Sequence, residues 1–169
     1  CVKFEYGAQT KFVQQDYSLG DSPVFQSTYT WVLPVTVKNL SENTQYAVQA
    51  LARNELGAET AYSNAATRWT ILNPPENTDL SVNPMSSTQI NLSVTEPPNG
   101  KLGVSGSEFT VVSGSTTGGT SSGKLLHTYV FVDVDLSENT KYGYKVRYYN
   151  GENAVTTYTD EIIRYTLCN

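Results

Sequence analysis

Charged side chains are scarce in this chain of 169 residues. They make up 16% of it, with Lys+Arg 11 against Asp+Glu 16, a net charge of -5. No Lys/Arg run is present, so the concentrated basic surface that phosphate backbones require is missing and nucleic acid is excluded as an expected partner. One His and two Cys, the latter at opposite ends of the chain, leave too few ligands for an internal zinc site and no thiol–imidazole pair for nucleophilic catalysis. The longest apolar stretches are strand-sized, so no membrane-spanning helix is expected. No signal-peptide pattern precedes the first apolar run; prior removal and a chain boundary both fit a sequence opening at Cys1. These shortages argue against most enzymes, and we expect no catalytic residues, no metal site and no cofactor.

What the chain has in excess is tyrosine, 12 residues, with 12 Gly and 7 Pro as punctuation. It also repeats itself. Leu40-Ser41-Glu42-Asn43-Thr44-Gln45-Tyr46 recurs as Leu136-Ser137-Glu138-Asn139-Thr140-Lys141-Tyr142, offset by 96 residues with one difference. Each copy follows a β-rich run (Tyr29 to Val37; Thr128 to Val134). Each is followed by period-2 alternation, through Tyr46, Val48, Ala50 and Ala52 in one and Tyr142, Tyr144, Val146 and Tyr148 in the other. That period marks a strand with one buried face. Turns follow at Asn54–Gly57 and Asn150–Asn153, then a last strand in each copy, about Ala61 to Thr70 and Val155 to Tyr165. A period of 96 residues is too long for a solenoid and is the size of a β-sandwich.

Asn73-Pro74-Pro75-Glu76-Asn77 lies between the copies, and its prolines suit a stiff extended linker rather than a helix or an interior strand. Strands are expected near Thr78 to Val82, Thr88 to Val94 and Ser107 to Val112, and Gly114 to Gly123 reads as a Gly/Ser/Thr loop. The fold class is therefore all-β, two sandwiches in series: an incomplete one at 1-72, a linker at 73-77 and a complete one at 78-169.

The Leu-x-x-x-Thr-x-Tyr element, with Ala52-x-Asn54-x-x-Gly57, Tyr62-Ser63-Asn64 and Thr67, resembles the second half of a fibronectin type III domain. Asn73-Pro74-Pro75 is similar to the join between two such modules. The resemblance implies a tyrosine corner at Tyr46 and Tyr142, each hydroxyl fixing a strand connection with Leu40 or Leu136 packed beneath. It implies an Ig-like, extracellular or cell-surface module. One departure is Val94, standing where the family carries a strand-B Trp.

In the second copy 58 residues separate Thr78 from Leu136, whereas only 39 precede Leu40. The first sandwich is thus short by two strands, and Val2–Tyr6 alternates as its third strand would, with Lys11 to Tyr17 as the next. Uncovering several hundred Å2 of inner face would cost on the order of 10 kcal/mol at about 25 cal/mol per Å2, as much as a domain's stability. Three readings answer this. The chain is a segment of a longer tandem array; or it is a polymer subunit whose neighbour donates the strands; or residues 1–20 themselves serve as the first two strands, which leaves too little chain for the next two.

Several smaller signals have both a chemical and a plain reading. Cys1 and Cys168 are disulfide candidates, end to end between units or to cysteines elsewhere, since an internal bridge needs Cα atoms within about 7 Å. Two unpaired thiols, or a lipidated Cys1, are the other readings. Asn39-Leu40-Ser41 and Asn91-Leu92-Ser93 fit the N-glycosylation sequon. Gly118-x-x-x-x-Gly123-Lys124 mimics a phosphate loop, but Leu125 stands where Ser/Thr is needed and no helix follows. Asp133, Asp135 and Glu138 read as a solvated acidic edge rather than a calcium site, and His127 as an ordinary surface histidine. Tyr142, Tyr144 and Tyr148 are assigned to the core. Tyr129, Phe131, Tyr149 and Tyr158 are assigned outward, where aromatics favour protein or sugar contact. The expected function is an extracellular structural or adhesive module, a repeating part of a fibre whose partners are further copies of the same or a similar chain. The alternative is a protein- or carbohydrate-binding accessory domain of a secreted enzyme or receptor ectodomain.

Overall fold

The computed structural model describes residues 1–27, 30–31, 34–113 (residue 113 by its backbone alone) and 119–168. The chain is all-β with, among the described residues, one 3-10 turn, Asn77–Asp79, and it divides into two compact units, Cys1–Thr70 and Ile71–Asn169. Every strand pairing among the described residues is antiparallel.

The first unit contributes β1 (Val2–Tyr6), β2 (Gln9–Val13), β3 (Leu19–Gly20), β4 (Gln45–Ala50) and β5 (Ala66–Trp69). They form a single sheet among the described residues, in the order β3-β2-β1-β4-β5. β1 and β2 form a tight hairpin, with Tyr6 opposite Gln9. Phe4, Val13, Trp31 and Tyr46 are its buried apolar residues, with Val35, Val37, Leu40 and Val48 packed around them.

The second unit contributes β6 (Leu80–Pro84), β7 (Ile90–Val94), β8 (Gly106–Ser113), β9 (Gly123–Leu126), β10 (Val130–Asp133), β11 (Lys141–Tyr149) and β12 (Ile162–Tyr165). These form two sheets, β10-β7-β6 and β12-β11-β8-β9. Ile90, Leu92 and Val94 alternate inward along β7 and meet Phe109, Tyr142, Tyr144, Val146 and Tyr148 from the other sheet in one core. That is a β-sandwich, the packing expected of two sheets each apolar on one face. Leu72 belongs to this core and Pro75 is buried as well.

The β-rich run Tyr29 to Val37 forms no strand over Pro34–Val37, which carries no ladder pairing; Tyr29 lies outside the described residues. The parity of the run before Asp133 is inverted relative to expectation. Tyr129 is buried and Phe131 packs on the core, while Val130, Val132 and Val134 face out. Asp133 shares the inward face and is fully buried, so it is not part of a solvated edge. Tyr149 is also buried rather than outward. Two glycines explain the tyrosines. A β-carbon at Gly100 would collide with the Tyr129 hydroxyl, and one at Gly106 would lie 2.7 Å from the Tyr149 hydroxyl. Their absence opens space that an alternation rule does not see.

Candidate functional site

The repeated element builds the same hydrogen-bond frame twice. The Ser41 amide donates to the Tyr46 hydroxyl (3.0 Å), and the Ser137 amide to the Tyr142 hydroxyl (2.9 Å). Thr44 N–H donates to Thr70 Oγ1 (3.0 Å) and Thr140 N–H to Thr166 Oγ1 (2.9 Å). Those hydroxyls then donate to the carbonyls of Ser41 (2.7 Å) and Ser137 (2.6 Å). Asn43 and Asn139, at φ 42 and 47, occupy the left-handed region that asparagine tolerates.

The correspondence runs on to the next hairpin without a change of offset. Ser63 Oγ accepts from the Ala50 amide (3.0 Å) as Thr159 Oγ1 accepts from Val146 (3.2 Å). Thr60 Oγ1 accepts from Ala52 (3.1 Å) as Thr156 Oγ1 accepts from Tyr148 (3.1 Å). Asn54 Oδ1 accepts from Leu56 and Ala58 (3.1 and 2.9 Å), and Asn150 Oδ1 from Glu152 and Ala154 (3.0 and 2.9 Å). The repeated heptad contains Tyr46 and Tyr142, while the hydroxyl partners Thr60 and Thr70 lie outside it; the same 96-residue offset relates them to Thr156 and Thr166, and Ser63 to Thr159.

Identical frames carry opposite burial. Val146 and Tyr148 are 0% and 3% exposed beneath the second sheet of their unit, whereas Ala50 and Ala52 lie exposed. Beside them is a groove of about 830 Å3, lined by Cys1, Val2, Phe25, Trp31, Ala50 and Ala52 among others. The Trp31 indole N–H is buried and has no acceptor among the described residues. Arg53 lies over the Phe25 ring at 3.7 Å and has no ion pair among the described residues.

Each unit also carries a tyrosine under a cation, again 96 residues apart. Lys3 Nζ lies 4.4 Å from the Tyr62 ring centre, and the Arg147 guanidinium 4.5 Å from that of Tyr158. Arg147 donates two bonds to Glu108 Oε2 (3.0 and 2.9 Å).

The remaining sequence candidates are scattered. Cys1 and Cys168 are both free thiols, the first buried and the second exposed. Asn39 is exposed in a turn at φ 58, while Asn91 is half-buried on β7, where Gln89 donates to its Oδ1 (2.7 Å). His127 Nε2 lies 2.9 Å from the Gly103 carbonyl oxygen. Gly118 of the phosphate-loop mimic lies outside the described residues, and Gly123 opens β9. No group of three metal-ligating side chains occurs among the described residues.

Asp133 accepts from the Thr120 amide (3.1 Å to each oxygen), the Thr120 hydroxyl (2.9 Å) and the Tyr144 hydroxyl (2.9 Å). Burial, with Asp133 beside it, pushes the Tyr144 hydroxyl above the usual tyrosine range. Burial does the same to Tyr129, up to about 12, and to Tyr148.

No protein-family model matches the sequence, and no curated protein matches it. Among solved structures, the FN1-FN3 domains of chicken CNTN1 are similar with a TM-score of 0.44 and 22% identity, over 76% of this chain and 45% of that one. The FN5 domain of Drosophila Lar has a TM-score of 0.40 and 18% identity, over 57% of this chain and 97% of that one. The chain thus spans less than half the length of the CNTN1 structure it matches.

Proposed function

We propose that the chain is an extracellular structural or adhesive module of two fibronectin type III-like units, a repeating part of a surface fibre joined to its neighbours by strand complementation. The observation that carries this reading is the unequal cover over two equal frames. Val146 and Tyr148 are buried by a second sheet, and their counterparts Ala50 and Ala52 are not. An uncovered apolar sheet face in one unit of a repeating architecture is a joining surface. Its work is mechanical: backbone ladders and buried faces carry load.

Cys168 is exposed and able to meet an external thiol, whereas Cys1 must open to do so. A covalent link would therefore begin at Cys168.

The test is size in solution. Sedimentation of the purified chain across a wide concentration range is expected to show growth beyond the 18.6 kDa monomer, and a monomer at every concentration sinks the fibre reading. Non-reducing electrophoresis separates disulfide-linked species from non-covalent ones.

A second reading, a protein- or sugar-binding accessory domain, is favoured by the cation-stacked Tyr62 and Tyr158. It predicts that Tyr158→Ala lowers ligand capture on a glycan array without changing the sedimentation profile.

A further inference from the structure

We propose that β10 is a dimerisation edge. Its open side pairs antiparallel with β10 of a second copy of the chain, about a twofold axis at Phe131, and joins two three-stranded sheets into one of six. This goes beyond the fibre reading, which concerns the first unit; the contact lies wholly in the second.

Backbone parity identifies the open side. The Val94 amide donates to the Tyr129 carbonyl (2.9 Å), and Phe131 and Asp133 stand opposite Leu92 and Ile90 in the same register. Bonded pairs alternate along an antiparallel ladder. The odd-numbered residues of β10 therefore serve β7, and the N–H and C=O groups of Val130 and Val132 point the other way. No bond from a described residue reaches those groups. The two side chains face out as well, 59% and 47% exposed. The other outer strands of this unit carry residues that discourage edge pairing: Pro84 in β6, Lys124 in β9 and Arg164 in β12. β10 carries none. Its one charged residue, Asp133, is turned inward and buried, and its register with β7 runs through four residues without a bulge.

Symmetry and charge select a second copy as the occupant. Val130 and Val132 flank Phe131, so a twofold axis there sets Val130 opposite Val132 of the second copy. All four open groups of each edge are then satisfied at once, in an isologous contact. The outward side chains of the sheet, Ser81, Asn83, Asn91, Ser93, Val130 and Val132, are uncharged. Two copies thus meet without like charges despite a net charge of -5 each, and a strongly charged partner finds no counter-charge on this face. Four ladder bonds and two valine pairs fall well short of the ~800 Å2 per partner of a stable interface. The dimer is therefore weak, closing in the high micromolar to millimolar range.

The test is sedimentation and amide exchange on the isotope-labelled full chain, under reducing conditions, from micromolar to millimolar concentration. The expected result is a closed dimer of the 18.6 kDa chain. Exchange at Val130 and Val132 is expected to slow at least tenfold at the upper end, with exchange in β11 unchanged. Val132→Lys is expected to weaken the dimer at least tenfold while leaving circular dichroism and β11 exchange as they were. Val130→Lys combined with Val132→Glu is expected to restore it at low salt, because the register sets each new ammonium against a new carboxylate of the second copy. Exchange at Val130 and Val132 that ignores concentration overturns the proposal, as does a Val132→Lys chain that associates like its parent. A double variant that stays monomeric where Val132→Lys has broken the dimer overturns the twofold pairing at Phe131. Growth past two copies that Val132→Lys leaves intact belongs to the fibre joint of the first unit and counts against this edge. A dimer that stops at two copies and is lost in the variant supports this edge alone.

Discussion

The Asp133 carboxylate is fully buried, and among the described residues it accepts from the Thr120 amide and hydroxyl and the Tyr144 hydroxyl. Donors on both oxygens suit an ionised carboxylate, which accepts only. Replacing it with leucine strands the buried Tyr144 hydroxyl without an acceptor. Asp133→Leu is expected to cost about 2–3 kcal/mol, and Asp133→Asn, which keeps one acceptor, less; urea denaturation reads both. Asn39 is a second residue whose surroundings decide its fate. It is exposed in a turn, whereas Asn91 sits half-buried on a central strand with its amide oxygen engaged. Secretion from a eukaryotic host is expected to add one N-glycan, lost in Asn39→Gln and kept in Asn91→Gln, as intact mass would show.

At the scale of elements, the hairpin that follows each repeated heptad is built by side-chain hydroxyls replacing ladder partners. Thr166 ties the Thr140 amide to the Ser137 carbonyl, and Thr70 ties Thr44 to Ser41 in the same way. Thr166→Val keeps the shape and removes both bonds, for an expected loss of about 1–3 kcal/mol. Thr70→Val is expected to cost less, because Thr70 is half-buried where Thr166 is buried. Equal frames under unequal cover also predict unequal protection. Amides of β11 are expected to exchange at least tenfold more slowly than those of β4, since local opening is cheapest where few apolar contacts must break. Alternation along these strands was readable because period 2 is a property of the backbone. Which parity faced inward before Asp133 was not, because the polar residue there is satisfied by Thr120 and by the Tyr144 hydroxyl, both brought to it by the fold.

At the scale of the whole molecule, the buried tyrosines set an alkaline limit on stability. Tyr129, Tyr144 and Tyr148 have hydroxyls pushed above the ordinary tyrosine value by burial. Their contribution is full below about pH 10, the unfolded value, and is lost as pH rises through the folded value, about 12 for Tyr129. Tyrosinate absorbance at 295 nm from these residues is expected to rise together with loss of the β-sheet circular dichroism signal. Ionisation of all 12 tyrosines near pH 10 with the fold intact would contradict this.

The amino-acid order alone determined the shortage of metal and nucleophile ligands, the strand periodicity and the 96-residue duplication, since each is a matter of composition or spacing along one chain. Tertiary structure decided what covers each frame. Whether Ala52 or Tyr148 meets water depends on side chains far away in sequence, and burial is a property of the neighbours that arrive, not of the residue that waits for them.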